Sequence, residues 1–287
     1  MSKARPRTTP RPKHDWETTV IFPDTHIQKR GKDRHDPIAI SVALQITKDL
    51  NGGRGPDRWI QLGDFMNLES VSPHNKDLKR GAIVDAKGNL LDGRLEEDYQ
   101  VADTFLEGVM DATPNAKERI ILEGNHDYWL WWYRNFQIPG PLRGSPWLQI
   151  PKALNFKERN IRWIPYGSQS SYYRLGKLDI IHGDYINPYH AAKTISARGR
   201  NVIYGHCHEV QVHSITNMNG ICRAWAIGCL RTLEAPFMRG RANSWSHAIA
   251  IVFTRPNGNF NVFIVDIING QATWEGKTYT GKHIPGL

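Results

Sequence analysis

Cysteine is scarce in this chain: Cys207, Cys222 and Cys229 are the only three among 287 residues. They form no C-x-x-C pair, which excludes the common structural zinc pattern, and an odd count at this density suits free thiols. A reducing, cytoplasmic setting is expected from that. No apolar run approaches the roughly 20 residues of a membrane helix, so no membrane partner is expected. The basic, Pro-rich start has no apolar segment behind it and does not read as a secretory signal. Acid is in deficit: 28 Asp and Glu stand against 37 Lys and Arg, a net charge of +9. A basic balance favours anionic partners, nucleic acid or small phosphate esters among them. Part of the excess sits in Lys3, Arg5, Arg7, Arg11 and Lys13, so residues 1–14 read as a flexible basic tail.

What the chain has instead is a series of short apolar strands that end in polar clusters. The plainest is Arg119-Ile-Ile-Leu-Glu-Gly-Asn-His-Asp127. Ile120, Ile121 and Leu122 suit a buried strand, and Gly124 turns the chain before Asn125, His126 and Asp127. Four more follow the same pattern: Asp24-x-His26 after Val20-Ile-Phe22, Gly63-Asp64 after Trp59-Ile60, His182-Gly-Asp184 after Ile180-Ile181, and Gly205-His206-x-His208 after Val202-Ile-Tyr204. A lone His is more often structural than a ligand, but five such strand ends in one chain are hard to attribute to chance. Imidazole and carboxylate together suit divalent transition metals. On an extended segment His206 and His208 share a face and Cys207 points the other way, so Cys207 is left out of the metal set.

Between these strand ends the periodicity predicts helices over His35–Leu50, Leu95–Asp111 and Pro188–Ala197. Hairpins are expected at Gly176-Lys177, Asn217–Gly220 and Pro256–Gly258, with a further one joining Ala82–Val84 to Leu90–Leu91. Strand, helix, strand at the start is an α/β pattern, and the second half reads as mostly antiparallel. No linker divides the chain, so residues 15–287 are expected to form one domain with an excursion at about 65–94. Tyr128 to Phe136 carries six aromatics. Stacking on nucleic-acid bases is one reading, but packing of the rings into the core is the stronger expectation.

The ordered set D-x-H, G-D, G-N-H-D, H and G-H-x-H resembles the calcineurin-like metallophosphoesterase superfamily. The match runs from Asp24 to His208, about two thirds of the chain. The resemblance implies an α/β fold, a four-layer β-sandwich of two mixed sheets flanked by helices. It implies two divalent ions, Mn2+ first, with Fe, Zn, Ni or Co as alternatives. Asp24, His26 and His208 would hold one ion, Asn125, His182 and His206 the other, and Asp64 would bridge them. His126 would serve the leaving oxygen, and Asp127 would orient His126. The segment Gly63-Asp-Phe-Met-Asn67 departs from the G-D-x-x-D-R-G of the protein phosphatases, so their phosphate-clamping Arg is absent there. That departure and the paired His206 and His208 favour a phosphodiesterase or nuclease acting on DNA, RNA or nucleotides. The alternatives are a phosphomonoesterase or protein phosphatase, a cyclic-nucleotide esterase, and, with a complete ligand set arguing against it, a non-catalytic scaffold.

Overall fold

A computed structural model describes residues 15–74, 92–167, 171–218, 220–234 and 238–287. The basic tail and the expected hairpin over 82–91 lie outside the described residues. The first half delivers the expected α/β alternation: β1 (Glu17–Phe22), α1 (Pro37–Gly53), β2 (Arg58–Gln61), α2 (Asp92–Ala112), β3 (Glu118–Leu122), α3 (Asn125–Phe136), a short α4 (Ile150–Ala153) and β4 (Ile161–Ile164). The second half adds β5 (Tyr173–Leu175), β6 (Leu178–Ile180), α5 (His190–Arg198), β7 (Val202–Tyr204), β8 (Val210–Asn217), β9 (Gly220–Ile227), β10 (His247–Thr254), β11 (Phe260–Ile267), β12 (Gln271–Trp274) and β13 (Lys277–Thr280).

These strands form two mixed sheets and a separate hairpin. The first sheet has the order β11-β10-β1-β2-β3-β4, and the second β5-β6-β7-β9-β8. In the first, β1 to β4 run parallel and β10 and β11 close one side antiparallel. The second half is less antiparallel than its hairpin signals imply, because β6, β7 and β9 pair in parallel. The crossover through α5 between β6 and β7 permits this, since a parallel pair needs a long connection.

Strand alternation builds the layers. Val20 and Phe22 of β1, Trp59 of β2 and Ile121 of β3 face a core shared with α1 and α2. Ile21, Ile60, Ile120 and Leu122, the alternate positions, meet Leu178, Ile180 and Ile203 of the second sheet. Val202 and Tyr204, on the far side of β7, pack on Ala191 and Ile195 of α5. The result is helices, sheet, sheet, helix, the four-layer architecture that the resemblance implied. Both faces of the parallel strands are covered, as such strands require. The outer core is aromatic: Phe105 of α2 touches Phe22, Trp59 and Phe65 at centroid distances of 6.4, 6.3 and 5.8 Å. Burying a side chain of this size stabilises by about 2–3 kcal/mol.

Local chemistry sets the helix ends. Asp36 caps α1, its Oδ1 accepting from the N–H groups of Ile38 and Ala39 at 2.9 Å, and Pro37 follows at the first helical position. The β12–β13 hairpin turns at Glu275-Gly276, both at positive φ, and escaped the reading of the sequence. Among the described residues no helix is long and apolar enough to cross a membrane.

Candidate metal centre

The loops after β1, β2, β3, β6 and β7 converge at one end of the two sheets. Each turn is tight, and the backbone shows it. His26, Asp64, His206 and His208 all have positive φ, at 48, 45, 67 and 63°. For residues with a Cβ this conformation costs about 1–3 kcal/mol, and such sites cluster where function needs them. Two glycines make the close approach possible. A Cβ on Gly124 would lie 2.2 Å from Asp64 Oδ1, and one on Gly205 would lie 2.0 Å from Asp24 Oδ1.

The site residues expected from the sequence are brought together in two groups that share a carboxylate. Asp24, His26, Asp64 and His208 form one, and Asp64, His182 and His206 form the other. Within each, the candidate ligand atoms all lie within 4.8 Å of one another. Asp64 Oδ2 is 3.6 Å from His26 Nε2, and its Oδ1 is 3.5 Å from His182 Nε2. Asp24 Oδ2 is 3.2 Å from His208 Nε2, and His26 Nε2 is 3.1 Å from His208 Nε2. Asn125 joins the second group, with Oδ1 3.0 Å from His182 Nε2.

The protein oxygens around the imidazoles decide which nitrogen faces inward. His182 Nδ1 lies 3.0 Å from the Leu62 carbonyl, which can only accept. His126 Nδ1 lies 2.9 Å from the Asn67 carbonyl. His26 Nδ1 lies 3.0 Å from Asn67 Oδ1, and Asn67 Nδ2 donates to Gln28 and to the Asp33 carbonyl, so Oδ1 is the acceptor. In all three rings Nδ1 carries the proton and Nε2 presents a lone pair to the space around Asp64. Asn125 Oδ1 and His182 Nε2 then meet as two acceptors. That arrangement suits a bound cation, and the buried Asp and His cluster could hold a metal ion.

Charge states agree with ligation. Burial holds His26 well below its usual value, helped by Arg231, His126 and His208. Burial also lowers His126 and His206. Metal binding needs neutral imidazole, and these rings are held neutral. Burial would raise the Asp24 carboxyl, but hydrogen bonds from His208 and the His206 N–H help to outweigh it and hold it at about 2.

Asp127 does not orient His126. Its Oδ2 accepts from Gly124 N–H at 2.9 Å and Phe65 N–H at 3.1 Å, and its Oδ1 from Met66 N–H at 2.9 Å. It stands at the third position of α3 and ties the helix start to the turn after β2. Burial, with Asp64 nearby, pushes its carboxyl well up against those three donors. The residue that orients His126 is Asn67, through its carbonyl, while its side chain orients His26. Asn67 was legible only as a departure from the phosphatase pattern, because half of its role runs through the backbone.

Other rings crowd the site. Trp129 lies on His126 at 3.8 Å between centroids, and Trp245 meets His208 edge to face at 4.5 Å. The α3 aromatics depart from the expected core packing. Leu130 and Asp127 are buried, whereas Trp131 is 39% and Phe136 64% exposed. Cys207 stays out of the cluster, its Sγ donating to the Tyr185 carbonyl at 2.8 Å, with burial pushing the thiol up to about 12. Asp184 pairs with Arg198 at 3.0 Å rather than with His182.

No family model matches the chain. No curated protein matches it either. Among solved structures it is similar to Vps29 of Chaetomium thermophilum, at 10% identity and a TM-score of 0.40, over 93% of this chain and 100% of that one.

Proposed function

We propose that this chain is a dimetal phosphodiesterase that hydrolyses nucleic-acid or nucleotide phosphodiesters, with Mn2+ as the first choice of ion. The observation that carries the reading is the inward turn of the Nε2 atoms of His26, His126 and His182 around Asp64, each fixed by a protein oxygen on Nδ1. Asp24, His26 and His208 would hold one ion, Asn125, His182 and His206 the other, and Asp64 would serve both. Two divalent ions in such a site supply Lewis acidity and a water of lowered pKa.

The chain's own residues do the rest. His126 keeps Nδ1–H on the Asn67 carbonyl and leaves Nε2 free at the partly open mouth, its side chain 19% exposed. With the diester bound, His126 first takes up a proton on Nε2; water then adds to phosphorus and gives up a proton, the ester P–O bond breaks, the leaving oxygen takes the proton from Nε2, and the proton shed by the water leaves the site or returns to the ring. The anionic diester beside the ring favours its charged form. The absence of the phosphatase Arg after Asp64 supports a diester over a monoester, and the net charge of +9 supports a polyanion.

The test strips the protein of metal, refills it with Mn2+, and compares bis-p-nitrophenyl phosphate, p-nitrophenyl phosphate and labelled single- and double-stranded DNA and RNA. Diester and nucleic-acid cleavage is expected, at least 100-fold slower in Asp64→Ala and His126→Ala. Asp64→Ala should also lose Mn2+ binding by calorimetry. Cleavage of the monoester alone moves the assignment to a phosphatase. Tight Mn2+ binding without turnover of any substrate overturns the reading.

A further inference from the structure

The α3 helix and the edge strand β4 flank a cavity of about 220 Å³ that reaches Asp127 at the start of α3. Asp127 lines it, and Asp127 caps the turn that presents Asn125 and His126. Two indoles, Trp131 and Trp163, line it as well. Trp131 stacks at 4.9 Å on Tyr128, and Trp163 packs on Phe156 at 5.8 Å, but the two indoles make no ring contact with each other. Glu123 and Arg134 line the same cavity. Glu123 Oε2 accepts from the Tyr166 N–H at 2.8 Å. Among the described residues, its Oε1 has no hydrogen-bond partner and the Arg134 guanidinium has none. A cavity lined by two indoles, a carboxylate and a guanidinium fits a nucleobase, which has a π-face and mixed polar edges.

A second cavity, of about 600 Å³, adjoins the first, and the two share Pro151 and Trp163. Lys152, Lys157 and Arg162 line it and are exposed. Among the described residues none of the three forms a salt bridge. The one acidic residue lining this cavity is Glu118, which already bonds Arg58 at 2.6 Å and Tyr173 at 2.8 Å. Arg162 also acts on Glu118 through its charge, and Lys152 and Lys157 leave this concave surface positive, one step beyond the first cavity.

We infer that these two cavities are a track for single-stranded nucleic acid, with a base held between Trp131 and Trp163 and the neighbouring phosphates on Lys152, Lys157 and Arg162. The inference rests on the phosphodiesterase reading and gives that site its polymer. A paired base cannot enter a slot between two rings, so the strand is single. The track leads away from the metal centre along β4, so it holds the part of the strand that is not being cut.

Binding of a fluorescein-labelled 12-mer to the full-length protein, followed by anisotropy in EDTA over a range of salt, tests the track apart from catalysis. The triple reversal Lys152→Glu, Lys157→Glu, Arg162→Glu should weaken binding at least 10-fold. It should flatten the slope of log K on log salt by about 2, from three contacts at about 0.7 each. Trp131→Ala should weaken binding about 5- to 100-fold and leave the slope unchanged. A charge-matched control, Lys48→Glu, Lys177→Glu, Lys277→Glu, should cost far less. Equal losses in the two triple variants, an unaltered affinity in Trp131→Ala, or duplex bound as tightly as single strand overturns the track. Failure of bis-p-nitrophenyl phosphate hydrolysis, with oligonucleotide binding intact, strikes the phosphodiesterase reading instead.

Discussion

The two ends of the first sheet use the same kinds of residue to opposite effect. Where β1, β2 and β3 begin, Glu17, Arg58 and Glu118 lie on adjacent strands, with Arg58 directly across from Glu118. Arg58 bonds Glu17 at 2.5 Å and Glu118 at 2.6 Å, and Lys117 also bonds Glu17. Both of these glutamates have a cation. Where the same strands end, Asp24 and Asp64 are buried among imidazoles held neutral, so lone pairs outnumber protons. One end is a closed ion network that any sheet would tolerate. The other could hold a metal ion, and that imbalance marks it as the candidate working end.

If the turns at the working end are held by side-chain acceptors rather than by strand pairing, the largest effect on folding belongs to Asp127. Asp127→Ala strands three backbone donors in the interior and should cost about 2–5 kcal/mol in urea unfolding. A loss below about 1 kcal/mol would mean that water replaces the carboxylate. A normally stable variant with an altered pH profile of turnover would return Asp127 to the His126-orienting role expected from the sequence.

Asn67→Ala separates holding from closing at that end. It removes the Oδ1 that fixes His26 but keeps the carbonyl that fixes His126. Mn2+ affinity by calorimetry should fall about 10- to 100-fold, the usual effect of losing a ligand's orienting partner. The pH profile of residual turnover should keep its shape. An unchanged affinity would show that packing alone orients His26.

The contrast between the ends also explains what the sequence could and could not convey. The positions that the structure brings together were legible because each follows an apolar strand and a turn signal, as in Ile121-Leu-Glu-Gly-Asn125. The partners were not. Asn67 acts partly through a carbonyl, and Asp127 acts on backbone groups of another loop, so neither leaves a pattern in spacing. The aromatic run after Asp127 misled in the other direction. In α2, Tyr99, Ala102, Phe105, Leu106 and Val109 recur at helical spacing and are all buried. In α3 the aromatics ring the helix, so no single face could bury them all, and Trp131 is left at the mouth of a cavity. Periodicity, not ring count, carries the information about a core.

The smallest effect is expected at the closed end, and its pH dependence has a definite sign. Burial would raise the Glu118 carboxyl, but hydrogen bonds from Arg58 and Tyr173 outweigh it and lower it below its usual 4.5. Burial acts the same way on Glu17, and the bonds from Lys117 and Arg58 outweigh it there. A carboxyl lowered in the folded state contributes stability above its unfolded value and loses it as pH falls through the folded value. Glu118→Gln should therefore cost most at pH 7, and the gap from the parent protein should close below about pH 4.5. Glu118 is 38% exposed, so solvent screening keeps the gap to roughly 0.2–1 kcal/mol, and added salt should shrink it further. Urea unfolding at pH 7, 5 and 4, with and without 1 M salt, measures it. A gap that widens as pH falls would mean that Glu118 is held protonated by its neighbours, and the closed end would then resemble the working one.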